Sequence, residues 1–394
     1  MAKLYVTDSA DGTRVPFLRG VLTGSLSDAG LVFEQAYKLA SDIRDELSEK
    51  DEISTVELRK LVVGRLGTVA DEAVVTAYQM GGRSPDAIMV RDAEGQKNAF
   101  SRFQLQRSLE SCGLTMDESS AATGQVFRHL VEKHAGEVSS SEIGHITYDC
   151  LVKHMGEAKA RRYLVWREFT HSGRPLLLMF GGTTGCGKST IATEIAHRLG
   201  IVRTQSTDML REVMRMMIPE RLMPVIHTSS FYAWTVLPAP GDFQADPEGV
   251  IAEGYLSQTE SLSVPCEAVT QRALRERVSL ILEGVHMHPS LLDKIIGETD
   301  AIVVPVMLAV LKEKQLRRRL RGRLDVAPAR AAEAHLEHFD AIWRLQSYLL
   351  SEADKAGIPI INNDRKEATI QLCVEAIMDA LFEHFSTKPD LVFQ

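Results

Sequence analysis

The run Pro175-Leu176-Leu177-Leu178-Met179-Phe180-Gly181-Gly182-Thr183-Thr184-Gly185-Cys186-Gly187-Lys188-Ser189-Thr190 constrains this chain more than any other stretch. Its first part is apolar without interruption and long enough for one buried strand. It then breaks into glycines, and from Lys188 the apolar residues Ile191, Ile195, Ala196 and Leu199 fall on one helical face. Gly182 to Ser189 satisfies G-x-x-x-x-G-K-[ST] at every fixed position, in the strand-then-helix context that the motif requires. Glycines let the backbone curl so that consecutive N–H groups converge on phosphate oxygens, and the helix N-terminus adds partial positive charge. Gly182, Thr183, Thr184, Gly185, Cys186, Gly187, Lys188, Ser189 and Thr190 are therefore expected to cradle a nucleoside triphosphate. Lys188 is expected at the β- and γ-phosphates and Ser189 at Mg²⁺, so the expected cofactors are ATP and Mg²⁺.

Beyond this helix the sequence continues as an α/β pattern. Ile201 to Gln205 reads as a short strand, followed by Ser206-Thr207-Asp208 and a helix with Leu210, Val213, Met214 and Met217 at helical spacing. Asp208 has two readings, a helix N-cap or a carboxylate facing a reacting hydroxyl. Arg211 and Arg215 follow it on the same face, where they can hold an anion. Leu222 to Trp234 mixes apolar residues with His227, Thr228, Ser229 and Ser230, and Leu237 to Pro247 reads as a loop. Val278 to Gly284 is an apolar strand ending in Glu283, a carboxylate placed to hold the water shell of Mg²⁺ or to help position the acceptor. Ala301 to Val310 is another buried strand. Lys312 to Arg323 is densely basic, and its Arg319 and Arg323 share a face at i, i+4. A helical stripe from Leu336 to Leu349, a last strand and turn from Gly357 to Asn363, placed near where an adenine would rest, and a helix from about Glu367 to Phe385 complete the pattern. This order of elements resembles P-loop kinases of small molecules. In these, a carboxylate after the second strand faces the acceptor and lid arginines close on the transferring phosphoryl group.

The first half repeats itself at a spacing of about 84 residues. Phe17-Leu18-Arg19 returns as Phe100-Ser101-Arg102, and Ser25 to Leu31 as Ser108 to Leu114. Ile53 to Leu58 returns as Val138 to Ile143, and Tyr78 as Tyr163. Each copy opens with a β-like stretch and an Asp11-Gly12 or Glu94-Gly95 turn. Ile53 to Leu58 and Val138 to Ile143 both look like helix starts, with Ser to cap and Glu in the first turn. Each copy thus reads as a hairpin followed by helices, and Glu168 to Arg174 as the linker to the second half. The expected domains are residues 1–86, 87–167 and 168–394.

Both copies resemble the ATP-cone, a nucleotide-sensing module of ribonucleotide reductases. They also resemble the N-terminal region of archaeal 2-phosphoglycerate kinases, in the segment Pro16-Phe17-Leu18-Arg19-Gly20. Nucleotide-binding cones carry a basic pair before the Asp-Gly turn, of which only Arg91 is preserved here. Regulatory nucleotide binding and a packing or oligomerisation role both stay open. The second half is similar to 2-phosphoglycerate kinase throughout. The similarity runs from the phosphate loop through Thr207 to Arg215 and His227 to Ser230. It continues in Glu253-Gly254-Tyr255 with Gln258, Leu280 to His286, Arg319, Arg323, Arg330 and Phe339 to Leu349. The resemblance implies an α/β P-loop kinase domain after two mainly α-helical cone-like modules. It implies transfer of the ATP γ-phosphoryl group to 2-phosphoglycerate, with Lys188, Asp208, Glu283, Arg319 and Arg323 catalytic and Ser189 and Glu283 at the metal. Asp208, Arg211, Arg215, His227, Ser229, Ser230 and Arg330 would contact the acceptor.

Composition narrows the alternatives. A formal charge of −8 disfavours a general nucleic-acid or membrane-surface binder, and with it a polynucleotide kinase. Five scattered cysteines without a CxxC pair fit reduced thiols, and no apolar run approaches the ~20 residues of a membrane span. The expected setting is the cytoplasm, the expected partner a small phosphorylated acid, and a homo-oligomer through the cone-like modules is open. A kinase of another phosphorylated metabolite, such as a polyol or inositol phosphate, and a nucleotide-sensing regulatory ATPase remain as alternatives.

Overall fold

The computed structural model describes the chain except residues 1–3, 8–11, 13, 49, 71, 80–87, 93, 133–136, 239–245, 297–298, 323–334, 386–387 and 394. It divides into two compact units, residues 1–101 with 127–143, and residues 102–126 with 144–394.

The first unit holds two small sheets of the same design. β1 (Tyr5–Thr7) pairs antiparallel with β2 (Arg14–Pro16). The chain then forms α1 (Arg19–Asp28) and α2 (Phe33–Glu46) and returns as β3 (Glu52–Ser54), parallel to β1 on its other side. α3 (Thr55–Leu66) starts directly from β3, and α4 (Glu72–Gln79) follows. β4 (Met89–Arg91) and β5 (Lys97–Ala99) again form a hairpin, followed in the chain by α5 (Arg102–Ser111) and α6 (Met116–Glu132), whose residues 102–126 belong to the second unit. β6 (Glu137–Ser139) then runs parallel to β4 and leads straight into α7 (Ser140–Met155). The two sheets have the orders β2-β1-β3 and β5-β4-β6.

Ile53 and Val138, which sequence pattern places at helix starts, are therefore strand residues, facing Val6 and Val90 across parallel ladders and buried. The caps come one residue later. Ser54 accepts from the Glu57 N–H at 3.2 Å, and the Glu57 carboxylate accepts from the Ser54 N–H at 3.3 Å. Ser139 accepts from the Glu142 N–H at 3.0 Å. The expected Glu94-Gly95 turn is present, with the Asp92 carboxylate accepting from the N–H groups of Glu94 and Gln96. The Asp11 part of the other turn lies outside the described residues. Leu26, Ala36, Ala40, Ile43, Val62 and Leu66 form the core under the first sheet.

In the second unit, α8 (Glu157–Ser172) runs through most of the stretch expected as a linker. That stretch is polar in letters, but Phe169 is buried beside Trp166, and a helix that buries one face continues through such a sequence. β7 (Leu176–Gly181) follows, then α9 (Lys188–Leu199), β8 (Arg203–Ser206) and α10 (Thr207–Met217). Two short 3-10 turns, Pro224–His227 and Ala233–Val236, precede α11 (Pro247–Ser261) and α12 (Ser263–Arg275). β9 (Leu280–Glu283), α13 (Pro289–Ile296), β10 (Ile302–Ala309) and α14 (Glu313–Gly322) come next. The helix Phe339–Lys355, the strand β11 (Ile360–Asn362) and the helix Lys366–His384 complete the unit, with the short helix Pro389–Val392 after them.

The five strands pair in parallel in the order β11-β10-β7-β9-β8. All six residues of β7 are buried, as its unbroken apolar sequence requires of a central parallel strand. Within this unit α5 meets the far end of α9. Arg107 donates to the His197 carbonyl at 2.6 Å, and the Ser111 hydroxyl donates to the Arg198 carbonyl at 2.8 Å. The Arg198 carbonyl is one that a helix C-terminus leaves without an intrahelical partner, whereas the His197 carbonyl also accepts from the Gly200 N–H at 3.4 Å. Among the described residues no helix is long and apolar enough to cross a membrane.

Candidate active site

Register brings the site together. Glu283 on β9 faces Phe180 of β7 on one side and Ser206 of β8 on the other. The phosphate loop, Glu283 and the start of α10 therefore share one edge of the sheet, the carboxyl edge where open α/β folds bind ligands.

The loop is shaped by its glycines. Gly185 and Gly187 have φ of +87° and +91°, a region that side chains disfavour. Their neighbours set the direction of the amides. The Cys186 carbonyl accepts from Asn363 Nδ2 at 2.8 Å and from Arg319 Nη1 at 3.4 Å. A trans peptide points its C=O and N–H in opposite directions, so holding the Cys186 carbonyl outward turns the Gly187 N–H inward. Asn363 is itself fixed, its Oδ1 accepting from the Thr369 hydroxyl at 3.1 Å. Arg319 also donates to the Asn363 carbonyl, and burial lowers its pKa from the usual guanidinium value. Inside the loop, Lys188 donates to the Thr183 carbonyl at 3.0 Å, and the residue is buried. Thr183 and Cys186 are buried, which makes Cys186 a small filler of the cradle.

The Ser189 hydroxyl donates to Glu283 Oε1 at 2.9 Å, and Glu283 is only 6% exposed. A buried carboxylate beside a hydroxyl at the phosphate loop is an all-oxygen donor pair, the kind Mg²⁺ takes together with water and phosphate oxygens. These two residues fit such an ion.

At α10, Ser206 is the N-cap, its hydroxyl accepting from the Asp208 N–H at 3.2 Å. Ser206 therefore takes the capping role that the sequence offered to Asp208, and the Asp208 side chain is 54% exposed. Arg211 lies 4.0 Å from the Asp208 carboxylate and donates to the Thr228 carbonyl at 2.7 Å. Arg215 pairs with Glu212 at 2.6 Å. The Nε atoms of Arg211 and Arg215 are buried without a hydrogen-bond partner among the described residues. His227 Nε2 bonds the Ile218 carbonyl at 2.8 Å, so this ring ties the end of α10 to the turn after it. Ser230 is buried and Ser229 exposed in that turn. Arg323 and Arg330 lie outside the described residues. The basic helix places Arg319 against the phosphate loop, whereas Lys312, Lys314, Arg317, Arg318 and Arg321 line an open basic groove of about 840 Å³ with Arg365.

Sequence reading missed Asn363 as a clamp, and it passed over the buried set Thr207, Gln258 and His286. Asn363 sits 177 residues from Cys186, so no local pattern links them. Gln258 and His286 stand in segments of family resemblance, but neither carries a motif signal of its own.

A five-stranded parallel sheet, a glycine cradle closed by a buried lysine, and a Ser–Glu pair beside an acid–arginine helix define a P-loop phosphotransferase. Curated relatives sharpen this. The chain is 38% identical over 289 residues to the 2-phosphoglycerate kinase of Pyrococcus furiosus, covering 73% of this chain and 92% of that protein. It is 37% identical to that of Thermococcus kodakarensis, covering 75% and 99%. Residues 88–172 match the ATP cone domain. Among solved structures, a gluconokinase from Sinorhizobium meliloti 1021 aligns at 15% identity and a TM-score of 0.30, over 54% of this chain and 98% of that one. The chain belongs to the 2-phosphoglycerate kinase family and is an ATP-dependent kinase.

Proposed function

We propose that the protein phosphorylates 2-phosphoglycerate to 2,3-bisphosphoglycerate at the sheet edge between the phosphate loop and α10. The observation that carries this reading is the pair of buried, unpartnered Arg211 and Arg215 Nε groups on the helix that also presents Asp208. Buried cationic donors are costly without an acceptor, and the phosphate and carboxylate of a phosphorylated acid supply several.

In this reading the loop amides and Lys188 hold the β- and γ-phosphates, with Ser189 and Glu283 as the protein's ligands to Mg²⁺. Held by Ser189 and Glu283, Mg²⁺ would supply positive charge against the negative charge that develops during transfer. Arg211 and Arg215 take the acceptor's anionic groups and place its free hydroxyl beside Asp208. The hydroxyl oxygen bonds to the γ-phosphorus, the bond to the β,γ-bridging oxygen breaks, and ADP leaves with that electron pair. The hydroxyl proton passes to the Asp208 carboxylate. His227 acts through the turn it anchors, which carries Ser229 and Ser230 toward the acceptor, and Arg319 acts by shaping the cradle. Arg323 remains the candidate for neutralising charge on the transferring phosphoryl group, and Arg330 for contacting the acceptor.

Residues 1–86 form a second cone-like module on this reading. Its support is the shared strand order of the two small sheets and the Ser cap after the third strand in each. Only the module at residues 87–167 keeps a cation before its turn, Arg91, and it pairs with Glu137 at 3.6 Å. The test of the kinase reading is ADP release with 2-phosphoglycerate, against a panel of phosphorylated acids and polyols, with product mass as a second readout. A bisphosphorylated three-carbon acid is the expected product. ATP hydrolysis indifferent to every acceptor would refute the reading.

A further inference from the structure

A chain of buried polar groups runs beneath this site, and donor–acceptor counting fixes the direction of each bond in it. Gln258 Nε2 lies 2.5 Å from the Val225 carbonyl and 3.1 Å from the Thr228 carbonyl. Carbonyl oxygens only accept, so both amide hydrogens are spent there and Gln258 Oε1 must accept elsewhere. Its partner is His286 Nε2 at 2.8 Å, which therefore carries the hydrogen. Burial holds the His286 pKa down at about 3, so the ring is neutral and Nδ1 is a lone pair. The Thr207 hydroxyl, 3.0 Å from Nδ1, is then the donor. Protons thus point one way, from Thr207 to His286 to Gln258 to the backbone at 225–228.

Both ends of this chain are parts of the candidate site. Thr207 is the first residue of α10, next to Asp208 and one turn before Arg211. A side chain at Gly284 would overlap the Thr207 hydroxyl, so the end of β9 and the start of α10 meet without room for one. At the other end, the Thr228 carbonyl accepts from both Gln258 and Arg211, which occupies its two lone pairs. Tyr255 lies parallel to the His286 ring and donates to the Val285 carbonyl at 2.9 Å, which confines the ring further. Thr207, Gln258 and His286 are all fully buried.

We propose that His286 and Gln258 are positioning residues for the phosphoryl acceptor: by pinning the Thr228 carbonyl they fix the aim of Arg211 and lock α10 to the 225–230 turn. The proposal rests on the acceptor-site reading of Arg211 given above. A fully satisfied buried network rigidifies what it joins, and its half-satisfied form is costly. Losing it frees Arg211 before it costs anything at the phosphate loop, which Asn363, Arg319 and Thr369 hold separately.

The experiment measures KM for 2-phosphoglycerate and for ATP, with kcat, in Gln258→Leu, His286→Leu, His286→Gln and Thr207→Val. In Gln258→Leu and His286→Leu the acceptor KM is expected to rise at least tenfold, with the ATP KM within threefold of wild type. Glutamine can both accept from Thr207 and donate to Gln258, so His286→Gln is expected to restore most of the loss. Thr207→Val removes one bond and is expected to shift the acceptor KM the same way by less. Because Gln258 acts through Arg211, Gln258→Leu combined with Arg211→Ala should raise the acceptor KM by no more than Arg211→Ala does. Additive penalties, equal losses for ATP, or His286→Gln no better than His286→Leu would overturn the proposal. Wild-type protein run alongside separates the readings. Absence of turnover with 2-phosphoglycerate overturns the acceptor assignment and this proposal with it, whereas normal wild-type turnover with unselective variants overturns the positioning role alone.

Discussion

Replacing Asn363 with leucine tests whether the phosphate loop is held from outside. The two side chains are similar in size, so the substitution leaves little cavity and acts mainly on hydrogen bonds. It removes the bond from Nδ2 to the Cys186 carbonyl at 2.8 Å and the bond from the Thr369 hydroxyl to Oδ1 at 3.1 Å. Each is worth about 1 kcal/mol net, and the cost would grow if a partner were left buried and unpaired. Neither is, because Cys186 keeps Arg319 and the single hydrogen of the Thr369 hydroxyl, shared until then, turns wholly to the Arg365 carbonyl at 2.9 Å. The loss of folding stability should therefore stay near 2 kcal/mol. The share that fell on Cys186, about 1 kcal/mol, frees the peptide plane that aims the Gly187 N–H, which corresponds to about fivefold in nucleotide affinity. Calorimetric titration with a non-hydrolysable ATP analogue, paired with urea unfolding, reads both quantities. The expected result is three- to tenfold weaker nucleotide binding with the acceptor KM unchanged. A variant destabilised by about 2 kcal/mol that binds the analogue within twofold of wild type would show that this clamp does not organise the cradle.

Asp208→Asn keeps the shape and removes the charge of an exposed carboxylate, so kcat should fall by about 10²- to 10⁴-fold with the ATP KM nearly unchanged; near-normal turnover would remove Asp208 from the mechanism. Glu283→Gln weakens the oxygen pair it forms with Ser189, and the Mg²⁺ concentration for half-maximal rate should rise at least tenfold; an unchanged magnesium titration would reject that role. His286 supplies a pH test of stability. Its folded pKa of about 3 lies below that of the unfolded chain, with Asp208 raising it and Arg211 and Lys188 lowering it, while burial dominates. The unfolded state therefore binds a proton that the folded state refuses, and stability falls with pH below about 6, by up to about 1.4 kcal/mol per unit from this residue. Urea unfolding at pH 7 and pH 5 should show a smaller difference in His286→Gln than in wild type, and an equal difference would contradict the buried neutral ring.

The cradle was legible in the sequence because its information is local. An apolar strand, glycines at fixed offsets and an amphipathic helix specify Gly182 to Ser189 with no distant contact. The caps at Ser54 and Ser139 were legible for the same reason, since a serine and a glutamate three residues apart settle a helix start between themselves. What the sequence left open were the distant partners. It offered Asp208 as a cap or a reacting carboxylate, and the nearby Ser206 hydroxyl took the cap only once the backbone between β8 and α10 was laid down. The polar letters from Glu168 to Ser172 read as a linker because nothing in them reveals that Phe169 is buried. Asn363 meets Cys186, and His286 meets Thr207 and Gln258, through the stacking of parallel strands whose crossovers put tens to hundreds of residues between neighbours. Sequence period reports which face of an element is buried, but the partner found on that face is decided by strand order and register, and here those placed the clamp and the relay on the two sides of one phosphate loop.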